Sequence, residues 1–299
     1  MRTNINCHTF DTYSTKRVSY ILITKDRASF LEKALLNAKM FKDNQDELIV
    51  VDGGSKDKTL DLIKIYSWLI DKYISEEDAG PVHAANKAIL ISSGKYIKYL
   101  TDDDVIYPDG MKRAISVMDK NPDIDVLVCG GTRYRVSTKK LQIVYNPPGT
   151  NYGKNIDDVF KHGTNAMGFI IRRSSLARVG IIPTDLNADF TFLVNCFLNG
   201  AIIKFCRIKL YHQYVHDKTI NVSKKDELAN LNYKLVKKHA SRLFFYRFAI
   251  NWFLWEHPNF KKGIFLPLFL WKHTKLLLVN RTQNKELIKI RYKWDAGFS

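Results

Sequence analysis

The stretch KYIKYLTDDDVIYPDG, Lys95 to Gly110, joins a short apolar-alternating segment to three consecutive aspartates. The segment from Tyr96 to Thr101 has the length and the aromatic and β-branched content of a strand. The acids Asp102–Asp104 follow where that strand should end. Adjacent like charges repel one another, so the stretch predicts a strand whose carboxyl end bears a charged site that another group neutralises.

On both sides of this stretch, from Arg17 to about Gly130, strand-like and helix-like segments alternate. Strands are predicted at Val18–Thr24, Glu47–Val51, Lys72–Ser75 and Tyr96–Thr101. Helices are predicted from Ser29 to Phe41, with Ser29 and Glu32 as a capping box, from about Lys58 to Ile70, and from Pro81 to just before Gly94. This order is typical of an α/β fold with a parallel sheet and helices on its faces.

Two of the predicted strands deliver carboxylates to the same edge of the sheet. Asp52 opens the turn Asp52-Gly53-Gly54-Ser55 after one strand, and the three aspartates follow another. Ligands of open α/β sheets bind beyond the carboxyl ends of the strands. Mg²⁺ or Mn²⁺ prefers one or two carboxylates with positions left open for phosphate oxygens. A metal site is therefore predicted, while a tight turn capped by Ser55 and a solvated acidic loop stay open as alternatives.

Four segments resemble, in their order, the family 2 glycosyltransferases, which are nucleotide-sugar-dependent enzymes of the GT-A fold. They are VSYILITKDR, DELIVVDGGSKDKT, ISEEDAGPVHAANKAILISSGKYIKYLTDDDVIYP and NADFTFLVNCFLNG. The resemblance covers roughly residues 17–220. It implies a Rossmann-like GT-A domain with a mostly parallel sheet at 17–223. The composition predicts a polar arm at 1–16 and a basic, aromatic-rich helical extension at 224–299, which the resemblance leaves unexplained.

The resemblance also implies roles for individual residues. Donor-binding residues are expected at Thr24, Asp26, Asp52, Asp78, Gly80, Asn86, Lys87, Asp102 and Asp103. Asp104 is expected to be the main ligand of Mn²⁺ or Mg²⁺, with Asp103 beside it and His216 as a further ligand. Two registers of the acidic motif, Asp103-Asp104 and Asp102-x-Asp104, both fit.

The general base of such enzymes is a carboxylate at the start of a later helix, and Asp189 in LNADFTFLVNCFLNG matches it. The family often has an acid immediately before this position, where this chain has Ala188. An acid in the first turn of a helix is also favoured by the helix dipole alone, so a structural role stays open. As the base, Asp189 would give single displacement and inversion at the sugar.

The expected function is transfer of a sugar from a nucleotide-sugar donor, a UDP-sugar, to a glycan or lipid-linked acceptor. Two alternatives remain open. A sugar-1-phosphate nucleotidyltransferase would share the sheet and the metal acids, but no glycine-rich, Arg- and Lys-containing loop follows VSYILIT. A basic nucleic-acid-binding protein would explain the charge, but no recognised binding motif is present, and no specific nucleic acid is expected as a partner.

The net charge of +17 is concentrated in residues 201–299, which contain 20 Lys and Arg against 6 Asp and Glu. Two aromatic-rich runs lie there, 242–255 and 263–279, and polar or proline residues interrupt both before they reach the length of a spanning helix. Their composition suits a helix on an anionic membrane surface, through 242–279, and suits equally a cover for the catalytic domain or a dimer contact.

Two further features bear on the compartment. The four cysteines are scattered without a CxxC pair, which indicates neither a zinc cluster nor a disulfide framework. The first residues contain no apolar core of a secretory signal. We therefore expect a cytoplasmic protein, peripheral on the cytoplasmic face of a membrane if the basic region binds lipid.

Overall fold

The computed structural model describes residues 16–144, 155–162, 165–216 and 223–256. The strands are β1 (Val18–Thr24), β2 (Glu47–Asp52), β3 (Lys72–Ser75), β4 (Tyr96–Thr101), β5 (Val105–Ile106), β6 (Val126–Arg135), β7 (Lys140–Val144), β8 (Phe169–Arg172) and β9 (Ile203–Val215). The helices are α1 (Ala28–Lys39), α2 (Thr59–Ile65), α3 (Pro81–Ile91), α4 (Pro108–Lys120), α5 (Ile156–His162), α6 (Leu176–Val179), α7 (Ala188–Leu198), α8 (Lys225–His239) and α9 (Arg242–Glu256). Single 3₁₀ turns lie at Ala166–Gly168 and Arg173–Ser175.

The nine strands form one sheet in the order β3-β2-β1-β4-β8-β6-β9-β5, with β7 paired to β6. The first four strands are parallel, and β8 runs antiparallel between β4 and β6. Beyond it, β9 is parallel to β6, whereas β5 and β7 are antiparallel to their partners. The α/β architecture is confirmed. A mostly parallel sheet is correct only for the N-terminal half, because the later strands make the sheet mixed.

The central strands explain why the sequence around them is so apolar. Every residue of β1 and of β2 is buried, as expected for parallel strands that helices cover on both faces. The main core joins residues such as Leu22, Leu48 and Tyr96 of the sheet to Leu35 of α1 and Met111 of α4. This packing fixes the carboxyl ends of β1, β2 and β4 side by side.

The predicted capping box at the start of α1 is absent. The helix begins at Ala28, and its N-terminus is capped from the neighbouring segment instead. The Ala28 N–H donates to Asp57 Oδ2 at 3.1 Å, and the Arg27 N–H donates to Thr59 Oγ1 at 3.2 Å. A tertiary contact thus replaces the local cap that the Ser29 and Glu32 spacing suggested. The next helix, α2, is also shorter than predicted and ends at Ile65.

Glu47 ties the amino ends of several elements together at the edge opposite the acids. Its buried carboxylate pairs with Lys72 at 2.8 Å and accepts hydrogen bonds from Ser19 Oγ at 2.5 Å and from Ser93 N at 2.6 Å. Burial alone would raise the pKa of Glu47, but these partners outweigh it and lower the pKa to about 2. The ionised carboxylate therefore stabilises the fold.

Two cysteines that are distant in the sequence meet in the sheet. Cys129 of β6 pairs in register with Cys206 of β9, and their Sγ atoms lie 3.3 Å apart as reduced thiols. Sequence spacing gave no sign of this contact, because it arises only from the parallel pairing of strands that are far apart along the chain.

The chain divides into two compact units between Leu231 and Asn232, a few residues beyond the predicted boundary at Ser223. In the second unit, Tyr233 packs edge-on against Phe245 at 5.9 Å between ring centroids. Over the described ranges, no helix is both long enough and apolar enough to cross a bilayer. The aromatic-rich run at 263–279 lies outside the described residues.

Candidate functional site

The acidic triad, Asp102, Asp103 and Asp104, lies directly after β4, as predicted. Asp102 is buried and turns toward the end of β1, where Thr24 Oγ1 donates to its Oδ2 at 2.9 Å and Arg27 Nε lies 3.1 Å from its Oδ1. Burial raises the pKa of Asp102 to about 6, although Arg27 and Thr24 oppose the shift. The Thr24 hydroxyl therefore fixes the orientation of the Asp102 carboxylate.

Asp103 is the most exposed member of the triad, with 21% of its side chain accessible. Arg27 Nη2 donates to its Oδ2 at 2.8 Å, and His216 Nε2 lies 3.6 Å from the same oxygen. The Arg27 guanidinium also stacks over the Phe30 ring at 4.4 Å, which helps to keep it in place. One arginine thus offsets the charge of two adjacent aspartates.

Asp104 is buried and points toward β9. Its Oδ1 accepts the backbone N–H of Tyr214 at 3.1 Å. Burial, reinforced by the charge of Asp103, raises the pKa of Asp104 to about 7. The three acids are therefore adjacent in sequence but lie in three different environments, which reduces their mutual repulsion.

A divalent cation fits this donor set as an open site. Asp103 Oδ2 and His216 Nε2 lie 3.6 Å apart, which is close to the separation of two ligands that each lie about 2.1 Å from one metal ion. Within the described ranges, no group of three or more His, Cys, Asp or Glu side chains is arranged to hold a metal. Asp104 was expected as the main ligand, but Asp103 is the more accessible acid.

The second acidic cluster forms at the end of β2. Asp52 is fully buried, and its carboxylate accepts hydrogen bonds from Ser55 N at 3.1 Å and from Ser75 Oγ at 2.7 Å. Ser55 Oγ also bonds Asp52. Gly53 lies against Asp78, because a Cβ at this glycine would come within 2.6 Å of Asp78 Oδ2. Asp52 and Asp78 therefore lie on either side of one glycine, and Ser55 closes the turn rather than capping α2.

The remaining predicted donor residues have structural contacts of their own. Asp26, in the left-handed region at φ 51°, receives the Lys56 N–H at 2.7 Å. Gly80 has φ 116° at the N-cap of α3, a conformation that favours glycine. Lys87 pairs with Glu76 at 2.7 Å.

Asn86 is buried in α3 and binds the backbone of Ile182 with both polar atoms. Its Nδ2 donates to the Ile182 carbonyl oxygen at 2.8 Å, and its Oδ1 accepts the Ile182 N–H at 3.0 Å. These contacts join α3 to the segment after α6, and a donor contact of Asn86 stays a prediction.

Asp189 lies in the first turn of α7. Its carboxylate accepts the Phe190 N–H at 2.8 Å. Burial nevertheless raises the pKa of Asp189 to about 6, and the nearby charge of Asp185 acts in the same direction. A carboxylate with this pKa is ionised at neutral pH and is basic enough to accept a proton.

The charges of the triad and of Asp189 act on the pKa values of the same two tyrosines. Burial raises the pKa of the Tyr99 phenol, and the charges of the three triad aspartates and of Asp189 raise it further. Tyr211 of β9 responds in the same way to Asp104 and Asp189. The pKa values of these two tyrosines therefore respond both to acids at the end of β4 and to Asp189, although 84 residues lie between Asp104 and Asp189 in the sequence.

Sequence reasoning missed two contributors to this site. Arg27 pairs with two of the triad acids, and its position at the carboxyl end of β1, within the quoted motif VSYILITKDR, was a usable signal. Tyr214 contributes only its backbone N–H to Asp104. No side-chain pattern could have indicated that contact.

Comparison with known proteins places this site in a family. A family model described as "Glycosyl transferase family 2" matches residues 19–180. The chain is 32% identical over 146 residues to "Uncharacterized glycosyltransferase RP339" of Rickettsia prowazekii, covering 48% of this chain and 44% of that protein. It is 23% identical to "Uncharacterized glycosyltransferase YibD" of Escherichia coli K12, covering 63% and 58%. The chain thus spans about half the length of these curated relatives.

Solved structures share the fold. The crystal structure of S. aureus TarS 1-349 in complex with UDP-GlcNAc has a TM-score of 0.57 at 17% identity, covering 76% of this chain and 68% of that chain. The mannosyltransferase PcManGT from Pyrobaculum calidifontis, in complex with GDP-Man and Mn²⁺, has a TM-score of 0.58 at 18% identity, covering 75% and 65%. The expected GT-A fold is confirmed.

Proposed function

The chain belongs to glycosyl transferase family 2, and from this premise we propose that it is a metal-dependent, inverting glycosyltransferase. It moves a sugar from a nucleotide-sugar donor, a UDP-sugar, to a hydroxyl of a glycan or lipid-linked acceptor. The observation that supports this most directly is the acidic triad at the carboxyl end of β4, where Asp103 is the most accessible acid and His216 Nε2 lies 3.6 Å from its Oδ2. Family membership favours transfer over both alternatives, nucleotidyl transfer and nucleic-acid binding.

The donor side of the site is the triad with Arg27 and His216. Asp103 and His216 would hold Mn²⁺ or Mg²⁺, which supplies Lewis-acid stabilisation of the charge that builds on the departing nucleoside diphosphate. Asp102 is already fixed by Thr24, and Asp104 by the Tyr214 backbone. These two acids keep the loop after β4 in a shape that presents Asp103.

The acceptor side is Asp189. Its carboxylate takes the proton of the attacking hydroxyl, and a base placed across the sugar from the leaving group gives a single displacement with inversion. The pKa of about 6 suits this task, because the group is mostly ionised at pH 7 while remaining a stronger base than an exposed aspartate.

The proposed class of nucleotide-sugar donor is based on the similar solved structures and on the donors that are common in the family. One neighbour is in complex with UDP-GlcNAc and another with GDP-Man and Mn²⁺, so the same fold accommodates both nucleotides. We favour UDP. The Asp52 turn and Asp78 line the edge where the base and ribose would lie.

A thermal-shift panel tests the donor assignment. UDP, GDP, dTDP and CMP are each added with and without Mn²⁺ to the full chain and to Asp103→Asn, with Asp109→Asn as a control that removes an exposed acid from the first turn of α4. We expect stabilisation by UDP only when Mn²⁺ is present, retained in the control and lost in Asp103→Asn. Equal stabilisation in the presence of a chelator would refute the metal assignment.

We further propose that residues 242–279 contact an anionic membrane surface. The supporting observation within the described residues is α9, where Leu243 is 47% exposed and Tyr246 is 36% exposed beside Arg242 and Arg247. The test is sedimentation of the full chain with phosphatidylserine vesicles and with neutral vesicles, beside single-stranded DNA at physiological salt. Pelleting with the anionic vesicles alone is expected, whereas binding to DNA but not to vesicles would contradict the proposal.

A further inference from the structure

Cys129 of β6 and Cys206 of β9 form a pair of thiols in direct contact. The two residues lie opposite each other in the register of the parallel strands, and their Sγ atoms are 3.3 Å apart. Neighbouring strands lie about 4.8 Å apart, which falls within the range of Cα separations, about 4.4–6.8 Å, that a disulfide spans. The spacing of the two strands therefore suits a bridge between these cysteines.

The backbone beside the pair is irregular, which gives the sulfur atoms room to approach. A disulfide needs a sulfur separation of about 2.05 Å, so the two atoms must come closer by about 1.2 Å. The register of β6 and β9 shifts directly after Cys129, where Gly130 pairs with Lys209, so that β9 has extra residues at this point. Such a bulge interrupts the regular ladder and bends the strand. A local shift of this size therefore disturbs little of the sheet.

The two thiols differ in their exposure. Cys206 is partly exposed and lies immediately before the exposed Arg207, whereas Cys129 is 4% exposed and belongs to the main core. The contact with the Cys129 thiol lowers the pKa of Cys206, and the charges of Lys204 and Arg113 act in the same direction. Burial raises the pKa of Cys129. An oxidant in solution therefore meets the Cys206 sulfur first, as the more accessible and more acidic thiol.

We propose that Cys129 and Cys206 are a redox-active dithiol, which a peroxide converts into a reversible disulfide between β6 and β9. In this pair Cys206 reacts with the oxidant and Cys129 is the resolving thiol. The proposal assigns a modification site outside the acidic triad and Asp189, and it does not rest on the proposed function. In a reducing compartment the pair stays as thiols until peroxide is present.

The oxidation has two steps. The Cys206 thiolate attacks one oxygen of hydrogen peroxide: an S–O bond forms, the O–O bond breaks, and the leaving hydroxide takes the proton of this thiol to become water. The Cys129 sulfur then attacks the Cys206 sulfur: an S–S bond forms, the S–O bond breaks, and the second hydroxide takes the Cys129 proton. The two thiols together lose two electrons and two protons, and the peroxide is reduced to two molecules of water. A dithiol reductant reverses the change by thiol–disulfide exchange.

The nearness of Cys129 decides where the oxidation of Cys206 stops. A sulfenic acid that meets no second thiol is open to further oxidation to a sulfinic acid, which thiols do not reverse. With the Cys129 sulfur already in contact, the sulfenic acid at Cys206 is converted to the disulfide first. The pair therefore keeps the oxidation reversible.

The test maps the products of oxidation in the full chain. Reduced protein is treated with a small excess of hydrogen peroxide, the remaining thiols are blocked with N-ethylmaleimide, and the peptides are identified by mass spectrometry. We expect the wild type to lose the mass of two hydrogen atoms and to yield linked peptides that contain Cys129 and Cys206, both changes being reversed by dithiothreitol. Cys196→Ser is the matched control, because Cys196 is a fully buried thiol of α7, and it should give the same link. A wild-type Cys206 that ends as sulfinic acid, or a pair recovered without oxidation, overturns the proposal.

Two variants separate the roles of the thiols. Cys129→Ser should give no link, and its Cys206 should be trapped by dimedone as sulfenic acid or found as sulfinic acid. Cys206→Ser should leave Cys129 unmodified at the same dose of peroxide, because the remaining thiol is buried. Oxidation of Cys129 in that variant at the wild-type rate would contradict the assigned order. The wild-type map remains decisive if a variant does not fold.

Two further measurements ask whether the folded sheet brings the thiols together. The cysteines are 77 positions apart in the sequence, so linking should be at least about tenfold faster in the folded protein than in concentrated urea. Equal rates would refute a preformed pair. The oxidised wild type should also unfold at a Tm about 5–10 °C higher than the reduced protein, because the bridge constrains the unfolded chain. An unchanged or lower Tm would show that the bridge does not fit the native spacing of the strands.

Discussion

Asp189→Asn should make the protein more stable while removing its activity. Asp189 titrates with a pKa of about 6 in the folded chain, against its usual 3.8. A difference of about two units corresponds to at most about 3 kcal/mol of folding free energy at neutral pH. Because the side chain is partly exposed, solvent screening reduces this to about 1–2 kcal/mol. The asparagine retains an oxygen that can accept the Phe190 N–H but has no charge to desolvate.

The sign of the pH dependence follows from the raised pKa. Between pH 3.8 and about 6 the unfolded chain is ionised at this position while the folded chain is protonated, so stability falls as the pH rises through this window. Above pH 6 the full destabilisation caused by the ionised Asp189 carboxylate is present, and below pH 4 this destabilisation disappears. The advantage of Asp189→Asn should therefore be absent near pH 4 and fully developed at pH 7.5.

The assay is thermal unfolding of both proteins from pH 4 to pH 8. A gain of 1–2 kcal/mol corresponds to a rise in Tm of about 2–8 °C for a domain of this size. Asp109→Asn is the control, because it removes a first-turn carboxylate that is exposed and should lower Tm slightly or leave it unchanged. A stability difference between wild type and Asp189→Asn that is negative, or that does not vary with pH, would refute the argument from burial.

Three further results are expected. Transfer by the wild type should fall roughly tenfold per pH unit below about pH 6, because only ionised Asp189 accepts a proton, and a rate that is flat from pH 5 to 8 would identify another base. Glu47→Gln should reduce the free energy of unfolding at pH 7 by up to about 3 kcal/mol, because the pKa of Glu47 lies near 2 instead of 4.5. In urea titrations, this loss of stability should become smaller as the pH falls from 4.5 to 2. A loss that does not vary with pH would instead indicate an effect of packing. Asp189→Asn should keep UDP and Mn²⁺ binding but lose transfer about 10²- to 10⁴-fold, measured by calorimetry and UDP release, and normal turnover would show that the base lies elsewhere.

The N-terminal half of the fold was readable because its signals are local. Strands β1, β3 and β4 have the predicted bounds, since each is a short strand-like run with a charged residue immediately before and after it. The start of α1 was not readable, because its cap comes from Asp57 and Thr59 in another segment. The mixed direction of the later strands depends on which strands pair, and pairing across long separations leaves no local pattern.

The candidate site, like the fold, could be predicted from the sequence only in part. The acids that end β2 and β4 could be assigned from the position of charges after strands, and the place of Asp189 from the order of motifs. Their environments could not, because these depend on side chains that approach from other elements, such as Arg27 and His216 around Asp103. The buried Lys98 was visible as a charge within a strand segment, but its partner is a backbone carbonyl in a turn about seventy residues later.

Three adjacent aspartates at the end of β4 are tolerated because each carboxylate has different contacts and a different degree of burial. Asp102 is neutralised in part by Arg27 and fixed by Thr24, whereas Asp104 is turned inward to a backbone N–H, where burial favours its protonated form. Of the three, Asp103 is the most accessible, and its Oδ2 accepts a hydrogen bond from Arg27 and lies 3.6 Å from His216 Nε2. A cation arriving with a diphosphate would therefore meet one accessible carboxylate instead of three equivalent ones. Substitutions of Asp102 or Asp104 should therefore change the shape of the loop, whereas substitution of Asp103 should weaken ligand binding.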